Sequence, residues 1–115
     1  MSDYAIPVVI TRCVLHDHQP PIVECVLVDA HDRVWRFEEK CAVPSARPLD
    51  GSSPYPQPGL FACELLSSRT DNAGRQLSTI ETSPWGVTAL DEAQIDRFEV
   101  YTSSLVPYHW PHPAA

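Results

Sequence analysis

Twelve prolines stand in this chain of 115 residues, against only four glycines. Proline locks φ and lacks a backbone N–H, so it ends helices and is kept out of central strands. Such a chain is held to short elements and long connections. A chain near this size buries roughly two thirds of its unfolded surface, enough for one modest core. A single domain is therefore expected. Apolar residues make up 43% and charged residues 20%, an ordinary globular balance that argues against wholesale disorder.

The segments between the prolines read as strands. "AIPVVITRCVLH" (5–16) and "IVECVLV" (22–28) are rich in β-branched residues and apolar on both faces, as in strands covered on two sides. "RVWRFEE" (33–39) behaves differently. Side chains alternate across a strand, so Trp35 and Phe37 face the core while Arg36 and Glu38 face water. The links "DAHDR" (29–33) and "DNAGR" (71–75) resemble each other. Both fit a type I turn followed by one residue with positive φ. Gly74 takes that backbone easily, and Asp32 tolerates it better than most residues. Two hairpins follow, 22–39 and 60–82. Residues 97–102 alternate again, with Phe98 and Val100 inward.

The expected fold is mainly β: a small antiparallel barrel or sandwich of six to seven strands. Residues 88–96 admit two readings. Thr88 can cap a short helix with Asp91 and Glu92 in its first turn, or the segment can form a hairpin tip. One domain is expected over 1–104, interrupted by a Pro-rich loop at 42–58. Residues 105–115 read as a flexible tail unless they dock.

Net charge is −7, with no compensating basic stripe. Phosphate backbones and acidic membranes repel such a surface, which disfavours nucleic-acid and membrane partners. A basic protein partner is permitted, and the negative field would speed its approach. Lys40 is the only lysine, against seven arginines, a bias typical of GC-rich bacterial coding sequences. The N-terminus shows no signal-peptide pattern and no apolar run could span a bilayer. A cytoplasmic location is expected, where disulfides are rare.

Chemistry-bearing residues are scattered. Cys13, Cys25, Cys41 and Cys63 show no C-x-x-C spacing and fall in or beside strands, as buried structural thiols do. His16/His18 and His109/His112 each offer two ligands where a catalytic zinc site needs three. No metal and no cofactor is expected. Glu38 and Glu39 point to opposite faces, so they cannot act as a facing acid–base pair. Glu39 shares the Trp35 and Phe37 side, where burial would raise its pKa. Glu24 and Glu64 interrupt apolar strands, most simply on a solvated face. No P-loop, G-x-G-x-x-G, G-x-S-x-G, H-E-x-x-H or EF-hand loop is present.

The leading functional expectation is a small non-catalytic domain that binds another protein. Its most concrete version is an inhibitor or immunity protein that neutralises a bacterial toxin or effector. The contact residues on this reading are Asp50, Tyr55, Gln57, Glu38 and Tyr101, since aromatics among prolines are common at binding surfaces. A small enzyme or ligand-binding barrel, with a site near Glu39, His16 and Cys41, is the alternative. A homodimer paired through exposed strand edges comes third.

Overall fold

Each β-branched run becomes a strand in the computed structural model, which describes residues 4–15, 17, 19–92 and 95–108. The strands are β1 (Tyr4–Leu15), β2 (Ile22–Val28), β3 (Val34–Lys40), β4 (Gln57–Thr70), β5 (Gln76–Glu81), β6 (Arg97–Tyr101) and β7 (Val106–Pro107). They form one antiparallel sheet in the order β3-β2-β1-β4-β5-β6, with β7 on β1. The fourteen-residue β4 joins its two halves. Residues 57–63 of β4 pair with β1, and residues 64–70 pair with β5 across a bulge near Leu65–Ser67. Bulges also interrupt the β1–β2 ladder between Ile10 and Arg12 and between Cys13 and Leu15. Bulges bend a strand and increase its twist, and here they curl the sheet into a half-barrel.

Ring packing holds the concave face together. Phe37 meets Phe61 edge-on at 5.0 Å between centroids, and both Phe37 and Trp35 meet Phe98, at 5.7 and 5.3 Å. These contacts pull β3 toward β6, the two ends of the sheet. Ile6, Val8, Ile10, Val23, Cys25, Leu27, Cys63, Ile80 and Val100 join them in the buried cluster, with Cys41, Leu49, Val87 and Ala89 added from the connections.

The gap between β3 and β6 is bridged by irregular chain. Ala30 N donates to Glu99 O at 2.8 Å, and Leu90 N donates to Arg36 O at 2.8 Å. The Asp91 carboxylate accepts from Arg36 N at 2.6 Å and from Arg36 Nε at 3.1 Å. This corrects the helical option for 88–96. The described residues there form no helix; short 3-10 turns lie before and after, at Ser83–Trp85 and Thr102–Ser104. The uncovered edge of β3 supplies the physical reason. It offers backbone partners to Leu90 and Asp91 that an isolated first helical turn could not match.

Two-sided covering of the first strands is also corrected. Val9, Leu15 and Val28 are 43%, 47% and 56% exposed. A single curled sheet has only one concave face, and among the described residues no second layer covers the convex side.

Both hairpin turns are built as the sequence predicts. Asp32 has φ 61° and Gly74 has φ 81°. In the first turn the Asp29 carboxylate accepts from His31 N and Arg33 N at 2.8 and 3.0 Å. In the second, Asp71 accepts from Ala73 N and Arg75 N at 2.9 and 2.8 Å. The same aspartate, at the same offset, satisfies the same backbone donors. The second oxygens differ: that of Asp29 accepts from the buried Trp35 Nε1 at 2.9 Å, and that of Asp71 from the exposed Arg75 Nε at 2.9 Å.

Candidate binding surfaces at the proline-rich end

The Pro-rich loop is built from its own hydrogen bonds. Asp50 Oδ1 accepts from Ser52 N and Ser52 Oγ at 2.8 and 2.7 Å. Those donors hold the Asp50 carboxyl below its ordinary pKa. Tyr55 OH donates to Asp50 O at 2.7 Å, and Gln57 Nε2 donates to Pro54 O at 2.8 Å. Two side chains anchor the loop to the core: Leu49 is buried, while Tyr55 is half-buried against the cluster. Gly59 lets the loop close on β4. A Cβ there would stand 2.9 Å from the Ile10 side chain and 3.0 Å from Pro44 O, the oxygen that accepts from Leu60 N at 2.9 Å.

An open groove of about 580 Å³ results, lined by Pro7, Pro44, Pro54 and Pro58 with Arg47, Gln57 and Leu60. A smaller pocket of about 240 Å³ is lined by Pro20, Lys40, Ala42, Val43, Ala62, Trp85 and Val87.

Charge is distributed unevenly around these hollows. Arg12, Arg33, Arg36, Arg69, Arg75 and Arg97 each hold a carboxylate within 3.4 Å. Among the described basic side chains outside histidine, only Lys40 and Arg47 have no ion pair. Lys40 lines the small pocket and Arg47 the groove.

The five expected contact residues do not form one patch. Asp50, Tyr55 and Gln57 share the loop, and Tyr55 is spent largely on holding it. Glu38 lies on the convex face of β3, opposite Glu24. Tyr101 ends β6, where its hydroxyl accepts from Arg75 Nη1 at 2.8 Å. Of the alternative trio, His16 lies outside the described residues, as do His18, His109 and His112. Cys41 is buried, and Glu39 sits on the concave side of β3, opposite Val23. Burial alone pushes Glu39 up to about 7. Cys25 and Cys63 are pushed up to about 12 by burial, with Glu39 adding to the shift at Cys25. They are therefore protonated, weakly reactive thiols at neutral pH. Among the described residues no group of three or more His, Cys, Asp or Glu side chains could hold a metal ion.

Sequence reasoning missed Arg47, Lys40 and Trp85 as lining residues. The one available signal was that Lys40 is the sole lysine, and it pointed to nothing by itself. Comparison with protein-family models, curated proteins and solved structures finds no match to this chain. The class defined by the fold is a small antiparallel β half-barrel. No helix among the described residues is long and apolar enough to cross a membrane.

Proposed function

We propose that this chain is a cytoplasmic protein-binding domain without catalysis of its own, of the inhibitor or immunity type, which neutralises a toxin or effector by covering it. The proline-lined groove carries the reading. It is an open hollow of about 580 Å³, and its four prolines have few rotamers to lose when a partner segment docks. Arg47 can donate to partner carbonyl oxygens, and the Gln57 amide oxygen can accept. The net charge of −7 favours a basic partner and a fast, salt-sensitive encounter.

The test is affinity capture from lysate of the native host at low and high salt. The baits are the wild-type chain and an Arg47→Glu/Gln57→Ala double variant. A stoichiometric partner held by the wild type, weakened by salt and lost by the variant is the expected result. Equal capture by both baits would move the contact away from the groove. No partner at either salt would defeat the proposal.

One observation favours a second reading, a ligand-binding or proton-transferring barrel. Glu39 is a concave-face carboxylate held near neutrality, with no ion pair among the described residues. Proton transfer near pH 7 needs such a group. A pH-dependent chemical shift of Glu39 that responds to a small-molecule library would support it.

A further inference from the structure

The 240 Å³ pocket combines three features. First, its walls are almost entirely carbon: Pro20, Ala42, Val43, Val87 and the ring of Trp85. Second, those walls come from separate parts of the chain. Pro20 belongs to the β1–β2 link, Ala42 and Val43 follow β3, and Trp85 and Val87 lie in and after the 3-10 turn. The hollow thus exists only in the folded state. Third, its one charged wall among the described residues is Lys40, an ammonium with no ion pair in a strongly acidic chain whose arginines, Arg47 excepted, each pair with a carboxylate.

We propose that this pocket is a binding site for a small aromatic monocarboxylate, whose ring lies against Trp85 and Val43 and whose carboxylate pairs with Lys40. Size restricts the ligand. Sites for drug-sized molecules run to roughly 300–1,000 Å³, so this one admits a single ring with a short acidic arm. Charge complementarity selects an anion, and the carbon walls gain little from one without an apolar body, such as acetate. The tryptophan face gives an aromatic body an offset or edge contact beyond simple burial. Lys40 is exposed, so its free ammonium is well hydrated. Pairing with the ligand's carboxylate at the edge of an apolar hollow strengthens the attraction that bulk water would weaken. This site is distinct from the proline groove and does not depend on it.

The experiment is titration of the full chain with phenylacetate, read by two-dimensional NMR of the backbone amides and the tryptophan indole N–H signals. Phenylacetamide and acetate are run in parallel. Saturable shifts confined to Lys40, Ala42, Val43, Trp85 and Val87 with phenylacetate, and weaker binding of the other two probes, are expected. Lys40→Gln should weaken phenylacetate about tenfold, the effect of losing one modest charge-assisted contact. Ala42→Phe places a ring in the hollow from an exposed position and should abolish the shifts, with an otherwise unchanged spectrum confirming that the variant is folded. The proposal is overturned if phenylacetate gives no saturable shift in the wild type. Equal binding of phenylacetamide, or undiminished binding to Lys40→Gln, overturns it as well.

Discussion

Trp35 ties the first hairpin to the seam of the half-barrel, and its replacement tests whether that seam is built as described. The side chain is 7% exposed. It packs edge-on to Phe98 at 5.3 Å, carries the Arg33 guanidinium over its ring at 3.8 Å, and donates to Asp29 Oδ2 at 2.9 Å. Trp35→Ala loses the buried area and leaves a cavity, a cost of about 3–5 kcal/mol. Trp35→Phe keeps a ring against Phe98 but drops the N–H donor, leaving one Asp29 oxygen short of a partner, at about 1–3 kcal/mol. Small domains are stable by only about 5–15 kcal/mol, so the alanine variant should be close to unfolding while the phenylalanine variant remains cooperative. Urea unfolding followed by far-ultraviolet circular dichroism measures both, since it does not depend on the fluorophore being removed. Equal m-values are required before the two are compared. A cost for Trp35→Ala below about 1 kcal/mol, the level of an ordinary surface substitution, would refute the reasoning and return Trp35 to the surface.

Other substitutions probe the turn, the charges and the loop. Asp29 and Asp71 serve the same turn role, but the second oxygen of Asp29 satisfies the buried Trp35 Nε1, while that of Asp71 makes an exposed, water-screened ion pair with Arg75. Asp29→Ala leaves the indole N–H without its acceptor and should therefore cost more than Asp71→Ala, by about 1–2 kcal/mol in the same urea assay. Glu39 has a folded pKa of about 7, raised by burial, so the folded state holds its proton more tightly than the unfolded chain. Stability from this group declines as pH rises from about 4.5 to about 7. Glu39→Gln should gain on the wild type across that window, by on the order of 1–2 kcal/mol at pH 8, and show no such gain at pH 4. Glu99 is the opposite case. Arg69, with help from His31, holds it down to about 2, so its contribution is present above about pH 4.5 and lost as pH falls toward 2. Glu99→Gln should flatten that acid limb, in a stability–pH profile at low salt. Gly59→Ala drives a Cβ against Ile10 and the Pro44 carbonyl and should cost about 1–3 kcal/mol, with faster proteolysis within the 41–56 loop.

Local signals read well where the governing physics is local. Alternation across β3 places Trp35 and Phe37 inward because a strand's side chains alternate whatever lies around it. Asp32 and Gly74 take positive φ because the two turn types demand it. Glu39 faces inward, and its raised pKa follows from that burial. Where partners lie far apart in sequence, the same reasoning stops. Leu90 and Asp91 are drawn to the edge of β3, about fifty-five residues away by hydrogen-bond span, and a capped-helix pattern over 88–96 carries no trace of that pull. Val9 and Val28 look like core residues because apolar content records what could be buried, not which face the curl leaves outside.

The candidate site divides in the same way. Prolines at 44, 48, 54, 56 and 58 mark the loop as irregular, and Asp50 with its following serines marks a local turn. The 580 Å³ groove exists only because Gly59 admits Pro44 against β4 while Leu49 and Tyr55 anchor the loop. Lys40 becomes notable only once six arginines are seen to be paired.

By itself, then, the sequence determined a β chain with two matched hairpin turns, an inward aromatic pair on β3 and an acidic surface. Each of these follows from neighbours a few residues apart, or from charge, which does not depend on fold. Tertiary structure alone decided the direction of curl, the bridging of β3 to β6, the two hollows and the two described cations without an ion pair. Those depend on contacts between distant residues, whose partners are chosen by three-dimensional proximity and leave no periodic mark along the chain.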